Sequence, residues 1–195
     1  YGGSMVSLNI TRTAALLAVL VAFAAPAQAA ETLTTPDAAA KAFYKIYAQA
    51  KVMDIPDAKH QKVWRPVLSD GLMRLIAMGD EAEARWAEKN KKEPAPPLYE
   101  GDLFTSMVEG GAKLDGVACE VTAPPVTVCT ASLHLVGKNR EGKRETFRWK
   151  AQLDLIHTPQ GWRVDDLEYG GTWDFGPKGR MSEQLKAIDK LSRQD

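Results

Sequence analysis

Histidine and cysteine are scarce here, with three and two copies in 195 residues. His60, His134 and His157 stand far apart in the chain, and two cysteines without nearby histidines make at most half of a zinc site. No metal is therefore expected. The sequence also lacks a Gly-x-Ser-x-Gly elbow, a His-Glu-x-x-His helix, a phosphate-cradling glycine loop and a Cys-x-x-Cys pair. No nucleophile for a hydrolase triad can be identified, so no catalytic residue and no cofactor is assigned. Charge of one sign is missing too: 25 basic side chains balance 25 acidic ones. That balance gives no general pull towards nucleic acid.

What is present begins with a leader. Met5 is the expected start, and Tyr1 to Ser4 read as a remnant ahead of it. Residues 5–29 carry Arg12, an apolar run from Ala14 to Ala25, and the small-x-small site Ala27-Gln28-Ala29. This is the pattern of a cleaved secretory signal peptide. A retained anchor is the other reading, but a spanning helix needs about 20 apolar residues. No later segment is apolar enough to span a bilayer, so the mature form is expected to have no membrane span. No cysteine stands near the cleavage site to accept a lipid. The expected location is periplasmic or secreted. Residues 30–195 keep every charged side chain except Arg12 and suit a single domain with its own core.

Both cysteines fall in the exported part, where an even count suggests a disulfide. Between Cys119 and Cys129 lies EVTAPPVTV, read as strand, Pro-Pro turn and strand. A hairpin centred on Pro124 sets the two cysteines opposite each other, close enough to bridge. Two free buried thiols are the alternative.

The first half of the exported part reads as helical. Thr35 can cap a helix opened by Pro36 and Asp37. Phe43, Ile46, Tyr47 and Ala50 then form one apolar stripe. A second helix follows Ser69, with Leu72, Leu75 and Ile76 buried, and Gly79 is expected to end it. Asp80 and Glu83 suggest a capping pair for a third helix, EAEARWAEKNKK. Residues 93–112 form a long Pro- and Gly-rich connection whose Leu98, Tyr99, Leu103 and Phe104 argue for packing. The second half is strand after strand. In RETFRWKAQLDLIHT, Phe147, Trp149, Ala151, Leu153 and Leu155 point one way while Arg148, Lys150, Gln152 and Asp154 point the other. A short helix bearing Met181, Leu185 and Ile188 closes the chain. Helices first and a meander of strands after predicts an α+β fold, with helices packed on a curved antiparallel sheet.

AAAKAFYKIYAQA, LSDGLMRLI, YEGDLFTSMVEG and GWRVDDLEY together span about residues 36–169. In these pieces and their order the chain resembles an exported bacterial family catalogued as domain of unknown function 3828, within the cone-shaped, nuclear transport factor 2-like (cystatin-like) superfamily. The resemblance implies a cone lined by the first helix. Enzymes of that superfamily keep acids and bases inside the cone. The resemblance lends no catalytic residue to this chain.

Asp166 poses the sharpest question. The TPQG turn pairs His157 with Trp162 and Leu155 with Val164. Continued without interruption, that register buries Asp166 against Leu153, at a cost of several kcal/mol unless the carboxylate is paired or protonated. Such a carboxylate would suit a general base. A β-bulge at Asp165-Asp166 instead restores the phase and sets Leu167 opposite Leu153. The candidate pocket is Tyr47, Trp149, His157, Trp162 and Asp166, each with an ordinary structural reading beside it. For Tyr47 that reading is a core residue with its hydroxyl at the edge, and for His157 a partly exposed strand end. His134 falls on the opposite face. In the connecting loop, Glu100 and Asp102 are candidates for binding or for a turn.

The function expected from these observations is a non-catalytic binding or interaction domain of the bacterial cell envelope. Its partner would be an unidentified envelope protein, with homodimerisation as an option. The rival readings are a lyase or isomerase, or a carrier, taking a small apolar ligand into the cone. Bulky Phe147, Trp149 and Trp162 on the inner face weigh against an open cone.

Overall fold

A computed structural model of the chain describes residues 1–3, 33–50, 54–92, 95–107, 110–123, 126–138, 141–173 and 176–194. The expected signal peptide at residues 5–29 and the expected Pro-Pro turn at 124–125 lie outside them. Among the described residues three α-helices, α1 (Pro36–Ala50), α2 (Asp70–Lys89) and α3 (Met181–Ser192), accompany four strands. The strands β1 (Lys113–Ala123), β2 (Val126–Lys138), β3 (Arg144–Thr158) and β4 (Gly161–Glu168) form one antiparallel sheet in sequence order. The fold is α+β, helices first and sheet after. α1 packs on β1, β2 and β4, and α3 packs on α2. Among the described residues no helix is long and apolar enough to cross a membrane.

Local chemistry explains the starts of the helices. The Thr35 hydroxyl accepts the Ala38 N–H at 3.2 Å, and the Ser69 hydroxyl accepts the Leu72 N–H at 3.0 Å. α1 buries Ala39, Ala40, Phe43, Tyr44 and Tyr47, while Ile46 is only half-buried. Its apolar face is thus rotated from the expected stripe to take in Tyr44. Phe43 meets Trp64 and Phe104, and those two rings stack with centroids 3.9 Å apart. The long connection therefore packs: Leu103 and Phe104 are fully buried.

Two expectations need correction. Gly79 does not end the second helix, and no third helix begins at Asp80; α2 runs unbroken through both. A Cβ on Gly79 would lie 2.8 Å from Leu185 of α3 and 3.2 Å from Ile55. The glycine admits a close helix crossing. Glu83 caps nothing in α2. Its carboxylate accepts the N–H groups of Leu98 and Tyr99, at 3.1 and 2.8 Å, and so ties the connection to α2.

The sheet keeps the alternation of its sequence. Trp149, Ala151, Leu153 and Leu155 are buried, Phe147 is half-buried, and Arg148, Lys150 and Gln152 are exposed. Cys119 and Cys129 are direct partners across β1 and β2 and are joined by a disulfide. The free edge of β4 is covered piecemeal by short bridges from Leu33, Leu68 and Arg180.

Candidate functional site

The register of β3 and β4 decides the orientation of Asp166. His157 pairs with Trp162 and Leu155 with Val164; then the register shifts, Asp154 pairs with Asp166, and Leu153 meets Leu167. The extra residue is Asp165, whose carboxylate accepts the Ser69 hydroxyl at 2.5 Å. Asp166 thereby shares the side of Asp154, away from the leucines.

It is nevertheless only 9% exposed, because the start of α3 covers it. Arg180 Nε donates to Asp166 at 2.9 Å, and Ser182 donates through its N–H at 3.1 Å and its hydroxyl at 2.7 Å. Arg180 also pairs with Asp154 and approaches Glu168 at 3.5 Å. Burial alone would raise the Asp166 pKa. The bonds from Arg180 and Ser182 outweigh it and hold the carboxyl below its ordinary range. An ionised, fully bonded carboxylate is a poor base. Here it anchors a helix N-terminus.

The other acid is Asp102, fully buried in the connection. One carboxylate oxygen accepts the Phe104 N–H at 2.9 Å, closing a turn, and the other accepts the hydroxyl of Tyr47. The Tyr47 oxygen in turn accepts the Ala112 N–H at 3.2 Å. Tyr169 donates to the Leu103 carbonyl at 2.7 Å, and Tyr99 lies beside Tyr169. The Tyr44 hydroxyl is buried with no hydrogen-bond partner among the described residues, close enough to Tyr47 and Asp102 to feel both. Burial pushes the Asp102 carboxyl up to about 6, despite the bond from Tyr47. Burial and the Asp102 charge together raise the Tyr47 phenol. Such a pair can hold a proton near neutrality, with Asp102 fully buried and Tyr47 nearly so.

The remaining candidates have other partners. Trp149 is buried edge-on to Trp173, with centroids 5.2 Å apart. His157 is exposed and edge-on to half-buried Trp162, also at 5.2 Å. Glu100 is exposed. Of the five expected pocket residues, His157 and Trp162 touch each other, while Tyr47, Trp149 and Asp166 each have other partners. Tyr47 and Asp102 are brought together from 55 positions apart. Sequence reasoning missed Arg180, Ser182 and Tyr44, and it missed a cleft of 720 Å³ between the start of α2 and the β3–β4 turn. That cleft carries Arg65, Arg74 and Arg163 beside Asp70, Asp165 and His157. Among the described residues no cluster of metal-ligating side chains occurs.

No family model matches the sequence, and no curated protein is significantly similar to it.

Proposed function

We propose that the chain is an exported, non-catalytic binding domain of the bacterial cell envelope, built on a nuclear transport factor 2-like cone of the family it resembles. The order of helices followed by an antiparallel sheet supports that fold reading. The cross-strand disulfide is compatible with an oxidising compartment. The observation that carries the functional reading is the state of the two buried acids. Asp166 is held by Arg180 and Ser182 at the rim of an open cleft, and fully buried Asp102 by Tyr47 and its own turn, so both carboxylates already have their partners. The concave surfaces that do open to solvent lie outside these clusters or at their rim. One flanks the start of α2, a second beside it takes in Asp166 and Arg180, and a smaller apolar one is lined by Leu33, Ile46 and Val67.

One observation favours a second reading. A carboxyl with a pKa of about 6 beside a phenol suits acid–base chemistry on a small apolar ligand, if the connection over it opens. A ligand screen by thermal shift, run beside a turnover screen for lyase and isomerase activity, separates the two. Saturable binding without turnover supports the binding domain. Turnover that disappears in Asp102→Asn overturns it and transfers the function to Tyr47 and Asp102.

A further inference from the structure

Arginine is seldom buried without a carboxylate to meet it, because its charge must be compensated on leaving water. Arg163 breaks that expectation. It is 9% exposed, and no carboxylate of the described residues comes within ion-pair distance. Of its five N–H donors, Nη1 reaches only the carbonyl of its neighbour Trp162, at 2.8 Å. Asp70 is near enough for its field to act on Arg163 but forms no contact with it. Desolvation correspondingly lowers the Arg163 pKa.

Arg163 lines the 720 Å³ cleft with two further arginines, and neither Arg65 nor Arg74 forms an ion pair with a described residue. Arg74 stands one helical turn after Asp70, the spacing at which an ion pair usually forms, and still none does. The start of α2 opens on the same cleft. Ser69 Oγ satisfies the Leu72 N–H, while the N–H groups of Asp70 and Gly71 have no partner within the helix. A Cβ on Gly71 would meet the Asp165 carboxylate and the Ser69 hydroxyl at 3.4 Å, an ordinary contact distance. Asp165 also lines the cleft, but its carboxylate accepts the Ser69 hydroxyl and forms no ion pair with the three arginines. Leu68, Ile156 and Pro159 add apolar surface.

We propose that this cleft binds a small molecule through an oxyanion group, carboxylate or phosphate, held by Arg163, Arg74 and Arg65 at the N-terminus of α2. Forked guanidinium donors and free helix N–H groups are the two protein elements that recognise such a group. The volume fits a metabolite-sized ligand. The proposal rests on the binding-domain reading and names the ligand class of one of its open surfaces.

The test is a calorimetric and thermal-shift titration of the protein with inorganic phosphate and, separately, with succinate, at ionic strength held constant with chloride. Saturable binding of either supports the proposal, and the tighter of the two identifies the oxyanion. Arg74→Gln, an exposed change that removes no contact of the fold, is expected to weaken that binding about tenfold. Arg74→Lys should restore it only in part, because the fork is lost. Arg148→Gln, on the solvated face of the sheet, should leave it unchanged. Failure of both anions to bind saturably overturns the proposal, as does equal affinity in Arg74→Gln and the parent. A neutral ligand that binds the parent and Arg74→Gln alike sinks the oxyanion site while leaving the binding-domain reading standing. Turnover lost in Asp102→Asn would sink that reading instead.

Discussion

Arg180 Nε donates to the Asp166 carboxylate at 2.9 Å, and the same guanidinium pairs with Asp154 one strand away. This contact fixes the start of α3 to the bulged end of β4. Removing it with Arg180→Met leaves half-buried Asp154 without its ion partner and buried Asp166 with only the bonds from Ser182 and Leu167. The expected cost is about 2–4 kcal/mol at neutral pH. The pH dependence has a definite sign. The folded Asp166 carboxyl titrates below its unfolded value, so its stabilisation is present above the ordinary carboxylate range and lost as pH falls through it. Urea denaturation of parent and variant should therefore differ most at neutral pH and converge as pH falls through the lowered value of the folded carboxyl. A constant difference across that range would show that Asp166 is not the group Arg180 serves.

Asp102 carries the opposite sign. Its folded pKa of about 6 lies above the ordinary 3.8, so the native state prefers the protonated carboxyl. The contribution is complete below pH 3.8 and disappears as pH rises through 6. A shift of that size corresponds to roughly 3 kcal/mol by pH 7. Asp102→Asn cannot ionise and escapes the loss. Its stability relative to the parent should rise by about 2–3 kcal/mol between pH 4 and pH 7. Parallel stability curves for the two proteins over that interval would rule out a raised Asp102.

These two acids also mark what a linear reading can and cannot reach. The bulge at Asp165 is legible because period-two alternation on β4 fails at one residue and resumes out of phase. The alternation of β3, the caps at Thr35 and Ser69, and the cysteine pairing are legible for the same reason: each is a local or mirror-symmetric relation. The partners of the acids are not. Asp166 is met by Arg180 from beyond a glycine-rich segment, and Asp102 by Tyr47 from another element. Gly79 misleads because a helix stop and a close helix crossing ask for the same residue, and Leu185, which it accommodates, lies far along the chain. The arginine cleft leaves no trace in the sequence, since Arg65, Arg74 and Arg163 come from three separate segments.

The disulfide links adjacent strands ten residues apart, so the loop it closes is short. On the chain-entropy model it stabilises by about 2–3 kcal/mol. The double variant Cys119→Ser, Cys129→Ser should lose about that much in equilibrium denaturation. Treatment of the parent with a thiol reductant should reproduce the loss. A reduced parent as stable as the oxidised one would mean that the β1–β2 hairpin needs no covalent closure.

Glycine at 161 is required for a reason that can be separated from conformational strain. Gly161 has φ of 102°, and a Cβ there would stand 2.6 Å from the Leu33 carbonyl oxygen. That oxygen accepts the Trp162 N–H at 2.8 Å, so the backbone of residue 33 cannot retreat without losing an edge bridge of β4. Gly142, in the β2–β3 connection, has φ of 76°, but a Cβ there would meet nothing within 4 Å. Alanine at 142 should cost only the backbone strain, about 1 kcal/mol. Alanine at 161 adds a collision with main chain and should cost about 3 kcal/mol or more. Thermal denaturation of Gly142→Ala and Gly161→Ala, measured side by side, reads the difference directly. Equal losses would place the whole penalty in the dihedral angle and none in the contact with Leu33.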